Sequence, residues 1–258
     1  MISKAVNIIK THGIIGTIKV VRNKLFKERA KNYKRYRYYL KGKSGIEIGG
    51  PSPFFNNQLP IYSVINSCDG VNFNSTTVWE GEIKEGKNYG YLNYKLGYQF
   101  ICDAVELKQI PDAKYEFVLS CNNLEHIANP LKAVKEWLRV LKKDGYLLLV
   151  LPFKESNFDH NRAYTKFSHL LGDFENNTKE DDLTHLDEIL KLHDLSLDKE
   201  AGTFEEFKAR SLKNFENRCL HHHVFSDQLL KEIYKHFNLD VLMCQHTSRD
   251  IVILGKKL

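Results

Sequence analysis

The sequence lacks any long uninterrupted apolar run. No stretch approaches the roughly 18 residues that a bilayer-crossing helix needs, so no transmembrane helix is expected. The N-terminus has no long uncharged core followed by a small-residue cleavage site, and no secretory signal is expected either. Five cysteines (Cys68, Cys102, Cys121, Cys219, Cys244) contain no Cys-x-x-Cys pair. Odd in number and scattered, they read as reduced thiols of a cytoplasmic protein and exclude a zinc cage built from cysteine. No Gly-x-x-x-x-Gly-Lys loop occurs, which argues against nucleotide hydrolysis. Internal repeats and low-complexity segments are missing too.

Charge is unevenly placed. The chain of 258 residues carries a net +6, yet residues 1–43 hold thirteen Lys or Arg against the single acid Glu28. The remaining body, 44–258, is therefore acidic, and no nucleic-acid partner is expected for it. Within 1–43, Val6, Ile9, Ile18, Val21 and Leu25 recur at helical spacing among the bases, which predicts a basic helical segment in two pieces. The run Tyr33 to Tyr39 alternates bases with aromatics. It reads either as a patch for membrane phosphates or a nucleotide-linked substrate, or as a helix that packs its Tyr rings and solvates its charges.

The most informative stretch is Gly45-Ile46-Glu47-Ile48-Gly49-Gly50-Pro51-Ser52, a short apolar strand running into a turn of small residues. Such a junction lets backbone approach a ligand closely. Leu59 to Val64 and Gly70 to Phe73 suggest a second strand region with Asp69 between them, and 79–98 reads as loop. Phe100 to Ala104 is expected as a third strand ending at Asp103, and Tyr115 to Cys121 as a buried strand. Asn129 caps and Pro130 opens a helix lined by Leu131, Val134, Leu138 and Leu141, stopped by Asp144-Gly145. Tyr146 to Leu151 is an apolar strand ended by Pro152. A polar, His-rich stretch at 153–225 interrupts this rhythm, before a helix (Asp227 to His236) and two strands (Leu239 to Cys244, Asp250 to Leu254). Strands alternating with helices predict an α/β, doubly wound, mostly parallel sheet.

The spacing Glu47-x-Gly49-x-Pro51-Ser52 resembles the first motif of class I S-adenosylmethionine-dependent methyltransferases, with Pro51 and Ser52 where further glycines are usual. Tyr115 to Ser120 followed by Asn123 to Ile127 and Pro130 looks like that family's fourth strand and following helix. Leu141 to Tyr146 with the strand ending at Pro152 looks like its fifth. The resemblance implies a Rossmann-like sheet of seven strands with an antiparallel closing strand, N-terminal helices and a helical insertion (153–225) after strand five. It also implies S-adenosylmethionine as cofactor. Glu47, Gly49, Gly50 and Ser52 would then lie near the methionine part, Asp69 near the ribose, Asp103 and Ala104 near adenine, and Ser120 and Asn122 at the end of the fourth strand. His126, in a common Glu-His pair of the family, would support the site floor.

Seven of the eleven histidines fall between His160 and His223. If 181–193 is helical, Leu183, Leu186 and Leu190 form one stripe opposite Asp181, His185 and Glu188. If 221–225 is extended, His221 and His223 share a side. These groups can bind a divalent metal, supply a general base with an orienting acid, or satisfy each other in a polar lid; no metal is assigned. Gly49 to Ser52, Phe158 to Arg162, Asp181 to His185 and Asn217 to Phe225 also resemble a narrower group of methyltransferases encoded with bacterial surface-polysaccharide genes. That resemblance implies O-methylation of a sugar or other capsule intermediate, a small-molecule or nucleotide-linked partner. His223 is the first candidate base, with His221 and His160 behind it. An amine acceptor, an RNA acceptor and a non-catalytic binding module are the competing readings, and peripheral membrane contact through 1–43 is the further partner expectation.

Overall fold

The computed structural model describes residues 29–258, so the helical pieces expected before residue 29 lie outside the described residues. Chain order runs α1 (Tyr33–Leu40), β1 (Ser44–Ile48), β2 (Ser67–Asn72), a small pair β3 (Thr76–Thr77) and β4 (Gly81–Glu82), a hairpin β5 (Gly86–Leu92) and β6 (Lys95–Ile101), then β7 (Tyr115–Cys121), α2 (Pro130–Val140) and β8 (Leu141–Pro152). Four helices follow, α3 (Phe167–Glu175), α4 (Leu186–Leu192), α5 (Phe204–Leu212) and α6 (Asn214–Asn217). The chain closes with α7 (Asp227–His236), β9 (Leu239–His246) and β10 (Asp250–Lys257).

The main sheet has the order β5-β6-β2-β1-β7-β8-β10-β9. Strands β6, β2, β1, β7 and β8 run parallel, and β10 is antiparallel to both β8 and β9. This is a doubly wound, Rossmann-like arrangement of seven strands, to which β5 adds an eighth, antiparallel to β6. Chain direction across the sheet reverses between β1 and β7, so the carboxyl ends of these two strands open a crevice.

The central strands are apolar on both faces because both faces are covered. On one side Ile46, Ile48, Val118, Leu147 and Leu149 pack under α2 and α7 through Leu131, Val134, Trp137, Leu230 and Ile233. On the other, Phe117, Leu119, Leu148 and Val150 meet Tyr36 and Leu40 of α1 and the segment carrying Phe55, Leu59, Ile61 and Tyr62. Caps fix where the covering helices start: the Asn129 side chain accepts from Lys132 N (3.1 Å) and Ser226 Oγ from Leu229 N (3.1 Å). The insertion has a small core of its own, Ile189, Ala201, Phe207 and Leu220.

Several local expectations are corrected. Leu59 to Val64 is irregular, and the second strand begins at Ser67, which places Asp69 inside it. Residues expected as loop between 79 and 98 form the β5–β6 hairpin, with Tyr89 and Tyr91 alternating inward. Helix α2 ends at Val140 rather than at Asp144-Gly145; Asp144 instead takes a left-handed turn (φ 60°) within an irregular start to β8. Helix α4 spans Leu186–Leu192, so Asp181 to His185 precede it.

One buried carboxyl ties the two sides of β1 together. Glu47 is fully buried; Oε1 accepts from Ser52 N (3.0 Å), and Oε2 from Tyr62 OH (2.5 Å) and Tyr89 OH (2.6 Å). Gly70, paired with Glu47 in register, makes room for the Tyr89 ring, since a Cβ there would stand 2.1 Å from it. Removing the carboxyl leaves several buried donors without a partner, each a penalty of about 1–3 kcal/mol. Glu47→Ala should therefore lower the unfolding free energy by about 3 kcal/mol, and Glu47→Gln by less than half of that. Urea unfolding monitored by circular dichroism measures both.

Candidate active site

The turn after β1 is shaped by Gly49, whose φ of +77° is a conformation that L side chains avoid. Its N–H donates to Val71 O (2.9 Å), and a Cβ added here would stand 2.5 Å from Asn123 Oδ1. Behind the turn, Glu47 holds Ser52 in place. Burial pushes the Glu47 carboxyl above its usual range, while the bonds from Ser52, Tyr62 and Tyr89 oppose the shift. Glu47 thus faces the core and braces the turn from behind, where the sequence had placed it against the ligand.

In front of the turn lies a cavity of about 650 Å³, at the carboxyl ends of β1, β2, β6 and β7. Of the residues expected to hold a cofactor, Gly49, Ser52, Ala104 and Asn122 line it. Gly50 borders a neighbouring cavity instead. Asp69 is corrected most. It lies mid-strand beside Ile46, accepting from Tyr98 N (2.9 Å) and Tyr115 OH (2.7 Å), and the residue that ends β2 at the cavity is Asn72. Asn72 Nδ2 donates to Gly50 O (3.0 Å), joining the ends of β1 and β2. Asp103 does not line the cavity: its Oδ2 pairs with Arg218 Nη2 (3.1 Å) and its Oδ1 accepts from Val105 N (3.1 Å). Ser120 also sits behind the lining, its Oγ buried and unpaired.

The insertion side of the same cavity is polar. Glu125, His126 and His221 converge there, one ligand atom from each lying within 4.8 Å of the others. Glu125 is 1% exposed, and neither carboxylate oxygen has a hydrogen-bond partner. Burial pushes its carboxyl up to about 7, against the lowering effect of His221. His221 Nδ1 bonds Asp159 Oδ2 (2.5 Å), whose other oxygen accepts from Arg162 Nη1 (2.9 Å). Burial would lower the His221 imidazole, but Asp159 and then Glu125 outweigh it and the net direction is upward. His126 Nδ1 donates to Leu220 O (3.1 Å), and its ring packs edge-on to Trp79 and to His221.

The three candidate bases are therefore separated. His221 reaches the cavity. His223, the first choice from sequence, is buried on the far side of the segment, with Nε2 donating to Ala128 O (3.2 Å) and its ring against His169 and His185. His160 is exposed and pairs through Nε2 with Asp194 Oδ2 (2.9 Å), away from the cavity. Parity along an extended strand puts His221 and His223 on one side, but residues 218–226 belong to no sheet and their side chains follow separate partners.

Sequence reasoning missed Asn72, Asn123 and Glu125. Asn72 follows from the register once β2 starts at Ser67, and Glu125 was visible only as the neighbour of His126. Asn123 lines the cavity with a buried, unpaired Nδ2, an amide donor free for a ligand.

Residues 66–149 match a family model described as a methyltransferase domain. This stretch is similar to a methyltransferase domain. It runs from the start of β2 into β8, and S-adenosylmethionine is the cofactor that it implies. The cavity fits that group: Gly49 and Ala104 keep side chains out of the crevice, and Asn123 offers its unpaired donor. No curated protein sequence matches the chain. Solved structures similar to it include a SAM-dependent methyltransferase from Aquifex aeolicus (13% identity, 92% of this chain and 93% of that one, TM-score 0.47). Another is a SAM-dependent methyltransferase from Thermotoga maritima, titled a possible histamine N-methyltransferase (17%, 93% and 95%, 0.45). A third is a SAM-dependent methyltransferase from Methanosarcina mazei (16%, 89% and 99%, 0.47). Such values add nothing to the strand order itself.

Glu125 gives a prediction of sign. Its folded-state pKa, about 7, lies above that of an unfolded glutamate, so its contribution to stability is full below the unfolded value and is lost as pH rises through about 7. Glu125→Gln, neutral throughout, should remove that part of the decline. Thermal midpoints of both proteins from pH 5 to 8 measure it.

Proposed function

We propose that the chain transfers a methyl group from S-adenosylmethionine to a hydroxyl of a sugar or nucleotide-linked sugar used in surface-polysaccharide assembly. The observation that carries this reading is the placement of Glu125 and His221, the latter bonded to Asp159 behind it, in the same cavity as the small-residue turn of β1. S-adenosylmethionine, when bound, supplies an electrophilic methyl group on a sulfonium. Gly49, Ser52 and Asn123 would hold its amino-acid end, Asn72 would stand toward the ribose, and Ala104 would leave space for the base. The acceptor then lies toward the insertion, between Phe158, His126 and His221.

In this arrangement Asp159 accepts the Nδ1 proton of His221, so Nε2 is the nitrogen free to take the acceptor's hydroxyl proton. Arg162 fixes Asp159, and Glu125 beside the ring stabilises the imidazolium that results. Holding acceptor and donor in attack geometry supplies much of the remaining acceleration. Leu197 of the insertion and Trp79 of the β3–β4 excursion line the cavity. A second reading, methylation of an amine, is favoured by one feature: the two unpaired Glu125 oxygens suit an ammonium group.

His221→Ala should lower kcat by about 100-fold or more while changing the calorimetric Kd for S-adenosylmethionine less than about threefold. Turnover unchanged in that variant removes His221 from the mechanism, and absence of binding heat in the unaltered protein removes the enzyme reading. Mass shifts of candidate nucleotide sugars, polysaccharide fragments and amino sugars after incubation distinguish O- from N-methylation.

A further inference from the structure

We propose that His169, His185 and His223 form a binding site for a divalent metal ion of the zinc class, separate from the cavity that holds cofactor and acceptor. The three come from different parts of the insertion: His169 lies on α3, His185 immediately precedes α4, and His223 lies in the returning segment after α6. Their rings are nearly equidistant, with centroids 4.9, 5.5 and 5.5 Å apart and planes inclined at 79°, 60° and 75°. Three imidazoles set steeply to one another around a common centre present nitrogens inward, as a tris-imidazole metal site requires. One ring nitrogen of each lies within 4.8 Å of the other two.

The closest pair is the most telling. His169 Nε2 and His185 Nε2 stand 3.0 Å apart. Ligand nitrogens about 2.0–2.1 Å from a tetrahedral zinc lie about 3.3 Å from each other, so a small outward movement accommodates the ion. His223 is 1% exposed; its Nε2 donates to the Ala128 carbonyl (3.2 Å), which leaves the lone pair on Nδ1. That Nδ1 is buried and has no partner. A ring nitrogen tied to a carbonyl while the other is left unpaired is the outer-shell arrangement of metal-binding histidine.

Asp173, one helical turn after His169, adds a compensating charge. Its Oδ1 accepts from Thr178 Oγ1 (3.2 Å), while Oδ2, also buried and unpaired, lies 3.3 Å from His169 Nε2 and 3.7 Å from His223 Nε2. The neighbouring His222 is engaged elsewhere, its Nε2 bonded to Asn214 Nδ2 (3.0 Å). A His169–His185 hydrogen bond satisfies one contact and leaves His223 Nδ1 and Asp173 Oδ2 without a hydrogen bond among the described residues, and a cation held by the three rings gives the carboxylate a charge partner. Access is provided by a cavity of about 420 Å³ lined by His169, His185, Arg162 and Glu188. Because His223 is two residues from His221, an ion here fastens α3, the start of α4 and the 218–226 segment together, and fixes where His221 enters the acceptor cavity.

The test uses the full chain, stripped with chelator and titrated with Zn2+ by calorimetry and with Co2+ by visible absorption. One equivalent of either metal should bind, with Co2+ showing d–d bands, and Zn2+ should raise the thermal midpoint. His169→Gln and His185→Gln, both on the solvent side of the cluster, should each weaken Zn2+ binding at least tenfold and abolish the thermal shift. Glu125→Gln should bind as the unaltered protein does. Failure of the unaltered chain to bind either metal overturns the proposal, as does wild-type affinity in His185→Gln or loss of binding in Glu125→Gln alone. S-adenosylmethionine binding by His185→Gln, measured in parallel, reports on the methyltransferase reading independently.

Discussion

A guanidinium buried to 2% exposure governs how the insertion is built. Arg162 cannot lose its charge, so its donors must find partners inside the protein. It reaches Asp159 and Glu188 at 2.9 Å each, the carbonyl of His221 at 2.8 Å and that of His222 at 3.2 Å. Satisfying one cation thus gathers three segments distant in sequence: 158–162, the first turns of α4, and the 218–226 return. The consequence for chemistry is direct, because Asp159 then presents its second oxygen to His221. Burial by itself works against ionisation of Asp159, but His221 and Arg162 hold its carboxyl well below the usual range. The array at the cavity wall is therefore a by-product of neutralising Arg162.

Glu47 shows the opposite solution to burying a charge-capable group. Among the described residues no cation faces it; two phenols and one backbone N–H do. Burial raises such a carboxyl, and the hydrogen bonds from Ser52, Tyr62 and Tyr89 oppose that rise. The two sites differ in their partners: phenols and a backbone N–H brace the turn after β1, while a guanidinium orders the insertion side of the cavity.

Most of the sheet was legible because its signals are local. Asn129-Pro130 and Ser226 mark helix starts by side-chain capping, and Tyr146 to Leu151 is apolar on both faces, as a central strand has to be. The hairpin β5–β6 was hidden because glycines at 86, 90 and 97 interrupt the alternation, even though Tyr89 and Tyr91 keep it. Gly97 in particular is required by close approach to the Cys68 backbone, a tertiary constraint with no local trace. Asp69 was misplaced for a related reason: Ser67-Cys68-Asp69-Gly70 has no apolar run, since Gly70 gives its side-chain space to Tyr89. At the site, residue types were readable and pairings were not. The sequence showed that histidines and acids cluster, but whether His221 or His223 faces the ligand depends on Arg162, Asp159 and the Ala128 carbonyl, all more than fifty residues distant from them. The strand order and the match of 66–149 to a methyltransferase domain agree with the fold and cofactor expected from the turn at Gly49 to Ser52, whereas Glu47, Asp69 and Asp103 stand elsewhere than the resemblance implied.

Arg218 carries a consequence of its own. It takes a left-handed backbone conformation (φ 55°) directly after α6, and its guanidinium spans Asp103 beyond β6 and Glu180 of the insertion at 3.1 and 2.9 Å. It also covers the ring of Phe73, which follows β2 and lines the cofactor crevice. One side chain therefore bridges the β2–β6 end of the crevice and the insertion. Because Arg218 holds both, any coupling that it carries between the ends of the cavity is reciprocal.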